Sequence, residues 1–306
     1  AEGTYFLHRF SDPTFVAAEA LVRVLHRTAA PAGGPWLDLC GGTGHLAHVL
    51  AGTSGEAAPA RTATVIADLY FRKLWLATRI TAPGADAVCC SADAPLPFTT
   101  GRFSMVVLMD AFPYIWHKRL CADEMMRVAH PDGVVALPHL HSAEGENHSA
   151  GDPLSPTAYR DLFARFSPAL LSDTRLLDGL LDEACVDLAD DRSPEQLRGE
   201  PSLTLVASRQ AAIRRRVPAP EPAAVAGALR VNPLYAIEVG GGRSVLTLRF
   251  PTPEYEEEFG HCRRYLPERV AVDADRRGPI EPRQLGPRYV ELRRRRVILD
   301  LPPRYL

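Results

Sequence analysis

The sequence predicts an α/β domain, a mostly parallel sheet covered by helices on both faces, followed by a small α+β module. Three observations carry that prediction. Between about residues 36 and 140, continuous apolar runs alternate with helical patterns, as strands buried on both faces require. A knot of glycines, Cys40-Gly41-Gly42-Thr43-Gly44, joins the first such run to an amphipathic segment. Further on, a Pro-, Ala- and Arg-rich stretch at 214–228 precedes a segment with a hairpin signature.

Taken in order, WLDLC (36–40) reads as the first strand and HLAHVLA as its helix. TATVIAD (62–68) is the second strand, and LYFRKLWLATRI (69–80) a helix with Leu69, Leu74 and Ile80 among its apolar residues. DAVCC (86–90), FSMVVLMD (103–110) and GVVALPHL (133–140) are further strands, the last preceded by a helix around 114–129 and a Pro-Asp-Gly turn. PLSPTAYRDLFARF (153–166) is expected to be helical, with Ser155 as cap and Pro156 in the first turn. SLTLVASR (202–209) closes the sheet. Residues 211–227 read as a linker. Beyond it, LYAIEV and RSVLTLRF flank glycines as a hairpin. TPEYEEEFGHC (252–262) is a helix capped by Thr252, and YVELRRRRVILDL (289–301) is expected to add a strand or two. The expected division is thus a domain at 1–210, a linker at 211–227 and a module at 228–306.

The 306 residues carry a formal charge of -2, with 46% hydrophobic and 24% charged residues. That balance is ordinary for a globular protein and argues against a dedicated nucleic-acid or anionic-membrane binder. No apolar run has the roughly twenty residues needed to span a bilayer, and AEGTYFLHRFSD does not read as a secretion signal. Six cysteines without a C-x-x-C spacing fit reduced thiols and a cytoplasmic location.

Glycines between a strand and a helix allow close backbone approach to a ligand. The free amides of the helix start favour a negative ligand group. Gly41, Gly42 and Gly44 therefore read as a cofactor cradle. Gly42 to Ala47 also fits the dinucleotide pattern G-x-G-x-x-A, with Asp68 where a ribose-binding acid belongs. A nicotinamide-dependent oxidoreductase is accordingly one reading of the loop. Three features favour another cofactor. Asp38 lies within an apolar strand, where a carboxylate is costly unless hydrogen-bonded or faced by a cation; the ammonium and sulfonium of S-adenosylmethionine meet that requirement. SADAPLPFTTGRFSMVVLMD (91–110) puts Asp93 after the third strand, within reach of an adenine amino group, with Leu96 and Phe98 packing under the loop. EMMRVAHPDGVVAL (124–137) adds a helix, a turn and a fifth strand.

LDLCGGTG, VIAD, ADAPLPF, FSMVVLMD and EMMRVAHPDGVV, in this order and at these spacings, resemble the successive motifs of class I S-adenosylmethionine-dependent methyltransferases. The resemblance is close over about 15–140 and looser over 141–210; it does not extend to the C-terminal module. Cys40 stands where many members have a glycine, Ser104 where an aspartate is frequent, and Asp132 where the turn has a glycine. The resemblance implies a doubly wound, Rossmann-like sheet of seven strands with the last antiparallel. It implies that Gly42 and Gly44 line the methionine end of the cofactor, with Asp38 supporting that end. Asp68 would accept from the ribose hydroxyls and Leu69 pack near the adenine, whose edge Asp93 and Ala94 would hold.

The chemistry is expected at the carboxyl ends of the fourth and fifth strands. Asp110 is a candidate base or positioning group, and also a candidate helix cap; Tyr114 and Trp116 are candidate pocket walls, or core. His139, His141 and His148 follow in LPHLHSAEGENHSAGDPLSP, and strand alternation puts His139 and His141 on one side. A neutral imidazole there suits removal of an acceptor proton. His-x-His near a carboxylate is also a chelating pattern, but no metal is assigned. YFLHRFSDPTF (5–15) is the expected lid, with Tyr5, His8 and Arg9 as pocket candidates. The arginine excess of the C-terminal module, including Arg293 to Arg296, reads as a solvated surface or a contact for an anionic acceptor. Substrate recognition, homodimerisation and capping are the roles open to that module. The resulting expectation is O- or N-methylation of a small-molecule acceptor, against two rivals: the nicotinamide enzyme and a non-catalytic cofactor-binding partner protein.

Overall fold

The computed structural model describes residues 2–28, 34–51, 63–147, 151–219, 227–240, 242–272, 278–281 and 288–305. The chain opens with helices α1 (Glu2–His8) and α2 (Pro13–Thr28) and then enters a βα alternation. Strand β1 (Trp36–Leu39) leads into α3 (His45–Ala51), β2 (Thr64–Asp68) into α4 (Phe71–Leu76), and β3 (Asp86–Cys89) into β4 (Phe103–Val107). After α5 (Lys118–Val128) come β5 (Ala129–His141), α6 (Pro156–Leu162), β6 (Pro168–Ser172) and α7 (Asp173–Glu183). Strands β7 (Cys185–Asp187), β8 (Ser202–Ala207) and β9 (Arg216–Pro218) follow.

Seven of these strands form one sheet in the order β3-β2-β1-β4-β5-β8-β6. The pairs β3–β2, β2–β1, β1–β4 and β4–β5 are parallel; β8 runs antiparallel to β5 and β6. Strand order reverses at β1, so right-handed crossovers wind the two halves in opposite directions, which is the doubly wound Rossmann-like arrangement. The strand of this sheet missed in the sequence is β6: PALLS is too short and too close to the preceding helix to stand out by pattern, and pairing with β8 makes it a strand. The core is built from both sides of the βα units, with Leu37, Phe103, Leu108, Phe112, Met125 and Tyr159 fully buried.

Several expected boundaries move. The Pro-Asp-Gly turn is absorbed into β5 as an irregularity, where Phe103 and Met105 pair with Ala129 and Val134. Gly133 is required there because a Cβ would lie 2.9 Å from both the His130 and Ser104 carbonyl oxygens. The helix expected over 69–80 ends at Leu76 and continues as a π turn, Ala77–Thr81. Ser155 caps α6 as expected, accepting from the Ala158 N–H at 3.2 Å. Within the expected linker, β9 pairs with β7, and residues 220–226 lie outside the described part.

By compactness the chain divides into two units, Ala17–Pro220 and a second made of Ala1–Val16 with Glu221–Leu306. The N-terminal segment thus groups with the C-terminal residues, because its polar groups are satisfied there. Tyr265 donates to the Ser11 carbonyl at 2.6 Å, Ser11 to Asn232 Oδ1 at 2.9 Å, and Tyr305 to the Phe6 carbonyl. The second unit has β10 (Ala228–Val231), then β11 (Tyr235–Gly240) and β12 (Arg243–Leu248) as the expected hairpin. Helix α8 (Pro253–Phe259) is capped by Thr252 at 3.2 Å, and β13 (Arg269–Val272) adds to the hairpin. The run at 289–301, expected to add a strand or two, adds one, β14 (Ile298–Leu301), and its first part is α9 (Arg288–Arg294). The Glu, Leu and Arg residues of that first part are good helix formers, and Glu291 and Arg295 pair one turn apart.

Candidate active site

The chain leaves β1 through Cys40 at φ 58°, then Gly42 at φ 56° and Gly44 at φ 81°. A left-handed non-glycine residue costs about 1–2 kcal/mol, so Cys40 is held there by its surroundings. A Cβ on Gly44 would lie 3.0 Å from Ala77 Cβ and Ile66 Cδ1, whereas one on Gly42 would meet nothing within 4 Å among the described residues. The turn is therefore packed on its inner side at Gly44 and open at Gly42. On Gly41 a Cβ would stand 2.6 Å from Asp38 Cγ and 2.7 Å from its Oδ2; the Asp38 carboxyl fills the place a side chain would need.

Two acids divide the work around this turn. Asp68, at the end of β2, accepts from the Gly42 N–H at 3.0 Å through Oδ2 and from the Tyr70 N–H at 2.8 Å through Oδ1. It therefore ties the glycine turn to the β2–α4 turn. Asp38 is only 4% exposed, and its Oδ2 has no hydrogen-bond partner among the described residues. Burial, and next the charge of Asp68, push the Asp38 carboxyl up to about 7. Leu69 is 58% exposed beside this site. Asp93 Oδ1 accepts from the His117 N–H at 2.6 Å, and the Ala94 N–H donates to the Ser91 carbonyl at 3.4 Å. The following loop is clamped by α5: Glu124 accepts from the Leu96 N–H at 2.6 Å, and Arg127 donates to the Leu96 and Phe98 carbonyls at 3.0 and 2.8 Å.

A second group of polar residues stands at the carboxyl ends of β4 and β5. Asp38, Val107 and Ala136 occupy one row across β1, β4 and β5. Three residues beyond that row are Gly41, Asp110 and His139, so the glycine turn and the two acceptor-side candidates emerge at one level of the rim. Asp110 and His139 both have φ 58°. Non-glycine residues in this region concentrate at functional sites, where the surrounding structure over-determines them.

His139 Nδ1 lies 2.8 Å from Asp173 Oδ2, and Asp173 Oδ1 accepts from Thr204 Oγ1 at 2.6 Å. The His139 and His141 rings are perpendicular at 5.2 Å, and His141 Nε2 is 3.7 Å from Asp110 Oδ1. His141 is 7% exposed, its Nδ1 lacks a hydrogen-bond partner among the described residues, and Tyr159 donates to its carbonyl at 2.8 Å. Burial lowers the His141 pKa, as does His139, against the opposing pull of Asp110 and Asp173. One ligand atom each from Asp110, His139 and His141 lies within 4.8 Å of the others.

Tyr114 stands with its ring 6.3 Å from that of His141, and Trp116 is 82% exposed. Lys118 Nζ holds the loop that carries them through the Pro113 and Ile115 carbonyls, at 3.3 and 2.8 Å. Neither aromatic belongs to the core. His148 lies outside the described residues. Tyr5, His8 and Arg9 belong to the second unit, where Arg9 pairs with Asp12 at 3.0 Å and lies over the Tyr5 ring, and His8 packs on Tyr255. Asp173 and Thr204 escaped the sequence reading. The signal available was the Ser172-Asp173 pair closing PALLS, where Ser172 caps α7 by accepting from the Arg175 N–H at 3.3 Å.

Residues 37–137 match a family model described as a methyltransferase domain. That segment runs from β1 into β5 and carries every motif of the class I resemblance; S-adenosylmethionine is the cofactor that the match implies. Among solved structures, the chain is similar to one in the complex between the Haloferax volcanii Trm112 methyltransferase activator and a candidate methyltransferase. The identity is 21% over 68% of this chain and 92% of that one, with a TM-score of 0.45. A SAM-dependent methyltransferase of Aquifex aeolicus is 13% identical over 67% of this chain and 97% of that one, at TM-score 0.44. A Thermotoga maritima SAM-dependent methyltransferase, a candidate histamine N-methyltransferase, is 14% identical over 68% and 94%, at TM-score 0.43. No curated protein matches the chain. No helix among the described residues is long and apolar enough to cross a membrane.

Proposed function

We propose that the unit Ala17–Pro220 is the catalytic part of an S-adenosylmethionine-dependent methyltransferase that methylates an oxygen or nitrogen of a small-molecule acceptor. The observation that carries this reading is the shared rim. An open glycine turn on β1 and a histidine–carboxylate cluster on β4 and β5 leave the sheet at one level, each through a left-handed non-glycine residue.

The residues around the turn fit the donor. The unpartnered Asp38 oxygen suits the ammonium of its amino-acid tail, and the space beside Gly42 admits a ligand against the backbone. Asp68 has spare lone pairs beyond the two amides it serves and suits the ribose hydroxyls, with Leu69 beside the adenine. Asp93 and Ala94 follow β3, where they would meet the purine edge. The bound donor supplies a methyl carbon already activated by its sulfonium. The protein contributes alignment and exclusion of water, while the Asp110–His139–His141 cluster orients the acceptor's nucleophilic atom and promotes loss of its proton. Tyr114 offers an aromatic wall next to that cluster. The weak net charge favours a metabolite over nucleic acid.

Calorimetry of the whole chain against S-adenosylhomocysteine and, in parallel, NAD tests the reading. Heat with the former alone is expected. Binding of NAD alone would replace it with the oxidoreductase, and binding without methyl turnover across a broad acceptor panel would favour the non-catalytic partner protein.

A further inference from the structure

We propose that Asp110, His139 and His141 bind a divalent first-row transition metal ion, which makes a hydroxyl the group methylated. This inference rests on the methyltransferase reading for its consequence, but the ion site itself stands on geometry. Two imidazoles and one carboxylate offer ligand atoms within 4.8 Å of one another. Two donors about 2.0–2.1 Å from one tetrahedral ion lie about 3.4 Å apart. His141 Nε2 and Asp110 Oδ1, at 3.7 Å, are too far apart for a hydrogen bond and within a few tenths of an ångström of that ligand spacing.

The surroundings have the form of a supporting shell. Metal-bound histidines almost always give their other ring nitrogen to a carboxylate or carbonyl, which fixes the ring. Here Asp173 Oδ2 sits 2.8 Å from one ring nitrogen of His139, Nδ1, and Thr204 fixes Asp173 from behind at 2.6 Å. His141 is buried with its Nε2 turned toward Asp110. Both Asp110 and His139 bear left-handed backbone strain, an expense that a solvated loop would relax. Two nitrogens and one oxygen suit Mn, Fe, Co, Ni or Zn better than Mg or Ca, which prefer all-oxygen sets. Three protein ligands leave positions for the acceptor. A hydroxyl entering one of them gives up its proton to solvent more easily than in free solution; an amine, which must present its lone pair to the methyl carbon, gains nothing from coordination.

The test uses cobalt(II) as the probe on the full chain after chelator treatment, read by visible absorption and by metal content after gel filtration. One equivalent is expected, with ligand-field bands showing imidazole coordination. His139→Asn and Asp110→Asn both tolerate the left-handed backbone, and each should weaken cobalt binding at least tenfold. Asp173→Asn should weaken it about 10–100-fold. S-adenosylhomocysteine affinity is measured on the same samples: retained affinity certifies the fold and keeps the two readings separate. No stoichiometric cobalt in the parent chain, or equal binding by His139→Asn, overturns the metal site while leaving the methyltransferase reading intact.

Discussion

The substitution Asp38→Asn gives the sharpest test of how the donor cradle is built. The carboxyl is buried, one oxygen lacks a partner among the described residues, and its pKa is raised from 3.8 to about 7, first by burial and then by the charge of Asp68. Between those two pH values the folded chain keeps a proton that the unfolded chain releases. Stability from this group is therefore full below about pH 4 and is lost as the pH rises to 7, after which it is flat. A shift of about three units at 1.36 kcal/mol each amounts to about 4 kcal/mol, an upper figure because the denatured chain is not fully solvated. The Asp38→Asn variant has no proton to exchange at this position. Urea unfolding of both proteins at pH 4.5, 5.5, 6.5 and 7.5 isolates the effect, since all other titrations are common to the pair. The parent should lose stability relative to the variant over that range, by roughly 2–4 kcal/mol once the part already lost at pH 4.5 is set aside. A difference between the two proteins that stays constant with pH would refute the account of Asp38 as a carboxyl kept neutral by its surroundings.

Donor binding should couple to the same proton. A ligand ammonium next to Asp38 lowers its pKa, so S-adenosylhomocysteine should release up to one proton near pH 6–7 and bind more tightly as the pH rises through that range. Calorimetry in buffers of different ionisation enthalpy reads this directly. Asp68→Ala leaves the Gly42 and Tyr70 amides without acceptors. It should cost about 1–3 kcal/mol of stability and at least tenfold in S-adenosylhomocysteine affinity, measured by urea unfolding and calorimetry. Gly44→Ala combines a φ of 81° with contacts at 3.0 Å to Ala77 and Ile66. It should destabilise by about 1–3 kcal/mol, visible as a lowered thermal midpoint, whereas Gly42→Ala meets no neighbour and should act mainly on ligand affinity.

Much of the sheet unit was legible because its signals are local. Buried parallel strands must be apolar throughout, so WLDL, TVIAD and FSMVV announce themselves, and a strand-to-helix turn that needs positive φ asks for glycine. The helix caps Ser155 and Thr252 were readable for the same reason: each satisfies an amide three residues away. Legibility failed where a segment's state depends on distant partners. PALLS is a strand because β8 lies beside it, the Pro-Asp-Gly run joins β5 because β4 absorbs it, and YVELRR is a helix although its composition admits either state.

The candidate site divides along the same line. Asp38, Gly42, Gly44, Asp68, His139 and His141 could be named from spacing alone, because each sits at a strand end that the apolar pattern defines. Their duties could not. That Asp68 rather than Asp38 holds the glycine turn, that the Asp38 carboxyl is pressed against Gly41, and that Asp173 from after β6 stands behind His139 all depend on which strands lie side by side. Sheet order brings together residues far apart in the chain, and hydrogen bonds and buried charges respond to distance in space, which a linear pattern does not carry.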